Sequence, residues 1–297
     1  MTVSIREGSV DDIAAAARLL NDVYPTRVFT EAGTRHRLLR APPEARRAWW
    51  AARDGETLVA WATAGVDHET SARSGHVSIS VLQSHRSRGL GTTLLERALA
   101  HLGDLSRVGS SADEASRGFA ERRGFRHTRT SSISSVDPRT VDTAELDSAD
   151  AQIASLRQVG PEQTFAVDAE SVLDEPSDDA IDAVEYGQWV RDYWEHPDLD
   201  FDVGRAAVVD GKAVAVAYVI LDPESRRAYS AYAGTLRAYR GRGFARLAKL
   251  GVMRRLAELD VALALTENDE TNAAMLAINK RLGYTPIESR YFYVLDR

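Results

Sequence analysis

Residues 239–253 read YRGRGFARLAKLGVM. Three arginines and two glycines stand in front of an apolar, helix-like run. A strand, a tight glycine loop and a helix start leave several backbone N–H groups unpaired and pointing outward. Those donors, together with the helix dipole, form an anion site. Gly241 and Gly243 remove side chains, so an anion can approach the backbone. Arg240, Arg242 and Arg246 add charge, and a diphosphate matches such a site in shape and charge. The bland alternative is a strand-to-helix turn with solvated arginines, because one glycine-rich match is weak evidence.

The grammar recurs upstream. Residues 85–99 read HRSRGLGTTLLERAL, with Arg86, Arg88, Gly89 and Gly91 in the corresponding places. The repetition extends outward on both sides. Strand-like runs flank Asp54-Gly55 and again Asp210-Gly211, a strong hairpin signal. Each hairpin is followed by another strand candidate, HVSISVL (76–82) or AYSAYAGTL (228–236), and then by the loop. Beyond the loops, SRGFAERRGFRHT (116–128) and AAMLAINKRLGYTPI (273–287) both read as helices ending in Gly plus an aromatic. Gly124 and Gly283 are the expected helix C-caps. The chain therefore reads as one α/β unit written twice, each a mixed sheet flanked by helices. Helices are expected to open each unit: SVDDIAAAARLLNDVY, capped by Ser9 or Asp11, and then DSADAQIASLRQV and DAIDAVEYGQWVRDYW in the second half. The polar stretch 134–148 contains Pro138, which places the domain junction between 1–138 and 139–297.

Composition narrows the class. A length of 297 residues suits about two domains. The net charge of -7 argues against a general nucleic-acid binder. Cysteine is absent, which excludes disulfides, thiolate metal sites and a cysteine nucleophile. The first residues carry acids rather than a basic start and an apolar core, and no apolar run approaches the roughly 18 residues that span a membrane. A cytoplasmic protein with no membrane partner is expected. The histidines at 36, 68, 76, 85, 101 and 127 show no i, i+4 pairing, so no metal site is expected.

Neither loop ends in the Gly-Lys-Ser/Thr of a P-loop, and Arg246 stands where a dinucleotide fingerprint needs glycine. The loops instead resemble the pyrophosphate signature Arg/Gln-x-x-Gly-x-Gly/Ala of the GNAT superfamily of acyl-CoA-dependent N-acyltransferases. RSRGLG matches at Arg86, Gly89 and Gly91, and RGRGFA at Arg240, Gly243 and Ala245. The likeness spans most of both halves and implies a tandem GNAT protein.

The resemblance implies that acetyl-CoA lies in a V-shaped gap beside the strand before the loop. Backbone groups near Thr235, Leu236 and Arg237 would hold the thioester and pantetheine arm. Arg240, Gly241, Arg242, Gly243, Phe244, Ala245 and Arg246 would grip the pyrophosphate. The first-half equivalents are Val81, Leu82 and Gln83, then Arg86, Ser87, Arg88, Gly89, Leu90, Gly91 and Thr92. A neutral amine would attack the thioester directly while a backbone N–H polarises its oxygen.

The halves differ. Asn272 and Asn279 lie seven apart, near two helical turns, and share a face. With Thr266 and Asn268 they resemble the family's contacts to the CoA arm, although a cap and a solvated amide explain them equally simply. The first half has no comparable asparagine, so the second is the expected active centre. Many GNAT enzymes carry a tyrosine acid four residues before the terminal Gly, where this chain has Ala120 and Asn279. Tyr232, Tyr291 and Tyr293 are the substitute candidates, against a plain reading as strand aromatics. Residues 174–202 are rich in acids and aromatics. Trp189, Tyr193 and Trp194 suit a cationic amine, and Glu185, Asp192, Glu195 and His196 are candidate bases, against an amphipathic helix with a buried aromatic face. The expected activity is acetyl transfer to a small-molecule primary amine. The alternative is a non-catalytic acyl-CoA-binding or regulatory protein.

Overall fold

In the first half, β1 (Ser4–Glu7) pairs antiparallel with β2 (Ala48–Asp54), and β2 with β3 (Thr57–Val66). Asp54 and Gly55 turn the hairpin, as their type implies. β3 pairs antiparallel with β4 (Ser74–Val81), and β4 runs parallel to β5 (Arg107–Ala112). The computed structural model describes residues 3–297 except 69, 71 and 179–181.

Period-two alternation, interrupted by a bulge at Val59, separates the two faces of this sheet. Ala51, Leu58 and Trp61 pack with α1 (Ile13–Val23) and α2 (Glu31–Leu39). Trp50, Ala52 and Val59 pack with α3 (Leu90–Leu102). Helix α1 is led in by Ser9, whose hydroxyl and N–H both meet the Asp12 carboxylate. Helix α4 (Arg117–Glu121) ends at Gly124, at φ 81°.

The next strand, β6 (Arg126–Val136), enters the second half, where β7 (Gln152–Ser155) pairs with β8 (Arg205–Val209) and β8 with β9 (Lys212–Asp222). Asp210 at φ 49° and Gly211 at φ 76° make the β8–β9 turn. β10 (Arg227–Thr235) lies antiparallel to β9 and parallel to β11 (Leu263–Asp269), and β11 pairs antiparallel with residues 131–136. One face is covered by α8 (Phe244–Glu258). The other carries a cluster around Leu156, Val167 and Trp189, from α5 (Leu156–Val159), α6 (Pro161–Ser171) and α7 (Tyr186–Trp189). Helix α9 (Ala273–Arg281) ends at Gly283, at φ 82°.

Three expectations need correction. The helix expected over 147–159 is strand β7 followed by α5. The Ser155–Gln158 capping box starts the helix only at Leu156, and residues 152–155 complete a ladder on β8. The helix expected from 179 to 194 is shorter. Residues 179–181 lie outside the described residues, and the helix runs from Tyr186 through a π-turn at Val190–Trp194. The cut after residue 138 is displaced as well. One unit holds residues 3–130, 178 and 289–297, and the other holds 131–177 and 182–288. The cause is strand β12 (Thr285–Asp296), whose residues 291–296 pair with β5 of the first unit, while residues 131–136 pair with β11 of the second.

Candidate active site

The two arginine loops are built alike down to single hydrogen bonds. Leu236 N–H donates to the Val214 carbonyl at 3.0 Å, Tyr239 N–H to Leu236 at 2.8 Å and Arg240 N–H to Arg237 at 3.3 Å. Leu82, His85 and Arg86 make the same bonds to Val59, Leu82 and Gln83, at 3.0, 2.8 and 3.3 Å. Arg240 Nε then donates back to the Thr235 carbonyl, and Arg86 Nε to that of Val81, both at 3.2 Å. The signature arginine thus ties its loop to the end of the preceding strand.

Gly243 at φ 84° and Gly89 at φ 82° are the N-caps of α8 and α3. Among the described residues no backbone carbonyl accepts from the N–H groups of Gly241, Arg242 or Gly243. The N–H groups of Phe244, Ala245 and Arg246, in the first turn of α8, have no intrahelical partner. One position separates the loops. Gly241 at φ 74° faces no steric penalty, whereas its counterpart Ser87 is held at φ 61°.

In the second unit, β10 and β11 pair only from Arg227↔Leu263 to Ser230↔Thr266, although both strands run on. Beyond that point they diverge, and the register of β10 against β9 shifts between Ser230 and Tyr232. The split opens a cleft of about 430 Å³ lined by Ala231–Thr235 of β10, Thr266–Asn268 of β11, the 239–245 loop and α9. In the first unit β4 and β5 part likewise after His76↔Gly109. There the Phe119 ring packs against Gly91 beside the first turn of α3. Arg123 stacks on that ring at 3.7 Å and bonds the Thr92 hydroxyl.

Carboxylates from outside the motif hold several of its arginines. Asp174 contacts Arg237 at 2.8 Å and Arg240 at 2.7 Å, and these guanidinium groups hold its carboxyl well below the usual range. Glu145 is ion-paired with Arg246, and Glu170 accepts from Arg237 N–H at 2.5 Å. Arg242 lies over Tyr239 and Phe244 at 5.5 and 5.0 Å. The N–H groups of Leu236 and Arg237, expected to meet the pantetheine arm, are therefore already engaged. The edge of β10 beyond Ser230 has no ladder partner on β11.

The tyrosine candidates separate. Tyr232 lines the cleft, and its hydroxyl lies 2.7 Å from that of Ser171. Ser171 places its own proton on the Val167 carbonyl at 2.6 Å, so Tyr232 is the donor to Ser171. Burial pushes the Tyr232 phenol above its ordinary pKa. Tyr291 and Tyr293 are not beside this cleft, a correction that follows from the pairing of β12 with β5. In the first unit, Tyr293 is buried with its hydroxyl 3.0 Å from Glu121, and Tyr291 lies under Arg117 at 4.3 Å.

Asn272 lines the cleft and caps α9, accepting from Met275 N–H at 3.1 Å. Asn279 does not line it. Buried behind, it donates to Asn268 at 2.5 Å and so orients a side chain that does. None of Glu185, Asp192, Glu195 and His196 lines the cleft. Trp189 is buried with its indole N–H 2.5 Å from Asp168, and Trp194 stacks on Phe201 at 4.0 Å. The aromatic face is core there, as the plainer alternative had it. Sequence reasoning missed Glu170, Asp174 and Lys249. The first two form contacts across more than sixty residues, but Lys249 stood in plain view inside an apolar helical run. Among the described residues no cluster of three His, Asp or Glu is placed to hold a metal, and no helix is long and apolar enough to cross a membrane.

Residues 13–125 match the acetyltransferase (GNAT) family model. No curated protein matches the chain. Among solved structures, a GCN5-related N-acetyltransferase from Sphaerobacter thermophilus is 16% identical, with a TM-score of 0.71 over 99% of this chain and 95% of that one. A tandem GNAT protein from the clavulanic acid biosynthesis pathway is 18% identical, with a TM-score of 0.72 over 99% and 98%. A GNAT-family acetyltransferase from Colwellia psychrerythraea is 14% identical, with a TM-score of 0.63 over 99% and 100%. Residues 13–125 thus resemble a GNAT acetyltransferase domain, and the fold of the chain as a whole is that of tandem GNAT proteins.

Proposed function

We propose that this protein is an N-acetyltransferase that moves an acetyl group from acetyl-CoA to a small-molecule primary amine, with the second unit as the working centre. The observation that carries this is the split between β10 and β11, which opens directly onto unpaired N–H groups of the 241–246 loop. Those donors, the two positive-φ glycines and Arg242 fit a diphosphate. Acetyl-CoA supplies the activated thioester. The open edge of β10 offers backbone groups to the pantetheine arm, and the shift after Ser230 offers a N–H at the point of reaction. Tyr232 stays protonated, donates its proton to the departing sulfur by turning from Ser171, and recovers one from the nitrogen of the attacking amine.

One observation favours a second reading, that the cleft binds acyl-CoA without turning it over. The hydroxyl acid expected before the terminal glycine is missing at Asn279, and the Tyr232 proton is committed to Ser171. Purified protein with acetyl-CoA and a panel of primary amines decides between the two. Amine-dependent release of free CoA thiol supports catalysis. Tight acetyl-CoA binding with no thiol release across the panel supports the second reading, and absence of binding removes both.

A further inference from the structure

Lys249 lies in α8 with 2% of its surface exposed, yet it lines the cleft. Its ammonium is 3.4 Å from the Ser230 hydroxyl, at the vertex where β10 and β11 part. Among the described residues no carboxylate pairs with it, and burial alone lowers its pKa to about 8. An unpaired buried cation is expensive, and folding alone gives no reason to keep it.

The internal repeat shows what this position holds otherwise. Aligned on Arg86 and Arg240, Lys249 corresponds to Leu95; aligned on Gly124 and Gly283, Tyr284 corresponds to Phe125. Both counterparts are buried apolar side chains. The Tyr284 ring lies 5.5 Å from the Lys249 ammonium, and its buried hydroxyl has no hydrogen-bond partner among the described residues. Thr266, buried and in register with Ser230, adds a further hydroxyl to the lining. At these two positions, 249 and 284, the second unit thus carries a polar group where the first has an apolar side chain. A neutral carbonyl would leave the ammonium charge uncompensated; a carboxylate would not.

We propose that the cleft of the second unit, besides admitting acetyl-CoA, prefers an acyl thioester whose acyl group ends in a carboxylate, with Lys249 as its counter-ion, an inference that rests on acyl-CoA binding to this cleft. The position favours the acyl group over the amine as the source of the carboxylate. Lys249 follows the loop on the same helix, about 7 Å along its axis from Phe244, at the closed end of the split.

Calorimetry with CoA, acetyl-CoA and succinyl-CoA, no amine present, tests this on the full chain. The wild type should bind succinyl-CoA about tenfold more tightly than acetyl-CoA. Lys249→Met should abolish that preference and leave acetyl-CoA binding within about threefold. Lys249→Leu, the residue of the other repeat, should do the same, and thermal melting shows that each variant is folded. Equal affinities in the wild type, or a preference that survives both substitutions, would overturn the assignment. If none of the three thioester-carrier probes binds the wild type, the acyl-CoA reading itself is what fails.

Discussion

The carboxylate of Asp174 lies 2.7 Å from the guanidinium of Arg240, the arginine that opens the second Arg/Gly loop. The same arginine is anchored through Nε to Thr235. Asp174 therefore competes with any phosphate for the remaining donors. Both partners are partly exposed, so the pair adds little to stability. Asp174→Asn should leave the melting temperature unchanged and tighten CoA binding about threefold at low salt, the gain shrinking as salt screens it. Titration calorimetry at two ionic strengths checks this, and weaker binding would show that Asp174 positions Arg240 for the ligand.

Ser87 and Gly241 occupy the same left-handed turn. Glycine adopts it freely, whereas an L side chain costs about 1 kcal/mol. Ser87→Gly should stabilise the first unit by about that amount, and Gly241→Ser should destabilise the second similarly, with no new contact in either case. Urea denaturation of the three proteins measures both shifts.

Tyr232 is the one tyrosine candidate that reaches the second cleft. Tyr232→Phe should lower kcat about a hundredfold with little change in the KM for acetyl-CoA. Ser171→Ala frees the Tyr232 proton and should leave kcat equal or higher. A kcat for Tyr232→Phe within about twofold of wild type would assign the proton to water instead.

Asp12 is the buried hub of the first unit, with Arg6 at 2.7 Å, Arg53 at 2.8 Å and Ser9 N–H at 2.8 Å. These donors outweigh burial and hold its carboxyl far below the ordinary value. A depressed folded-state pKa contributes stability above the unfolded value, which is lost as pH falls below about 4. Asp12→Asn should cost about 2 kcal/mol near neutrality and flatten the acid limb of the stability profile. An acid limb as steep as that of the wild type would place the sensitivity elsewhere.

The repeated loop was legible because its chemistry is local. Glycines at 89, 241 and 243, an arginine three residues ahead of Gly89 or Gly243, and an apolar helix behind them need no distant partner to be recognised. The hairpins at Asp54-Gly55 and Asp210-Gly211 were legible for the same reason. The exchange of strand ends was not, since residues 131–136 and 291–296 carry the same alternation whichever sheet they join. Strand β7 is hidden in the sequence because four residues hold too little pattern to outweigh the capping signals around them. Whether Tyr291 and Tyr293 reach the second cleft depends on the pairing of residues 291–296, which the sequence leaves open. The Asn279 to Asn268 bond and the Asp174 clamp join residues whose proximity only the folded sheet creates.

In the proposed function the amides after Arg240 hold the linked phosphates of CoA. Gly243→Asp places a carboxylate on that anion site at a backbone angle aspartate tolerates better than most residues. Calorimetric titration with CoA should show binding weakened at least about tenfold by Gly243→Asp and far less by Gly89→Asp. CoA affinity that is untouched by Gly243→Asp and lost in Gly89→Asp would contradict the account and move the working site to the first unit.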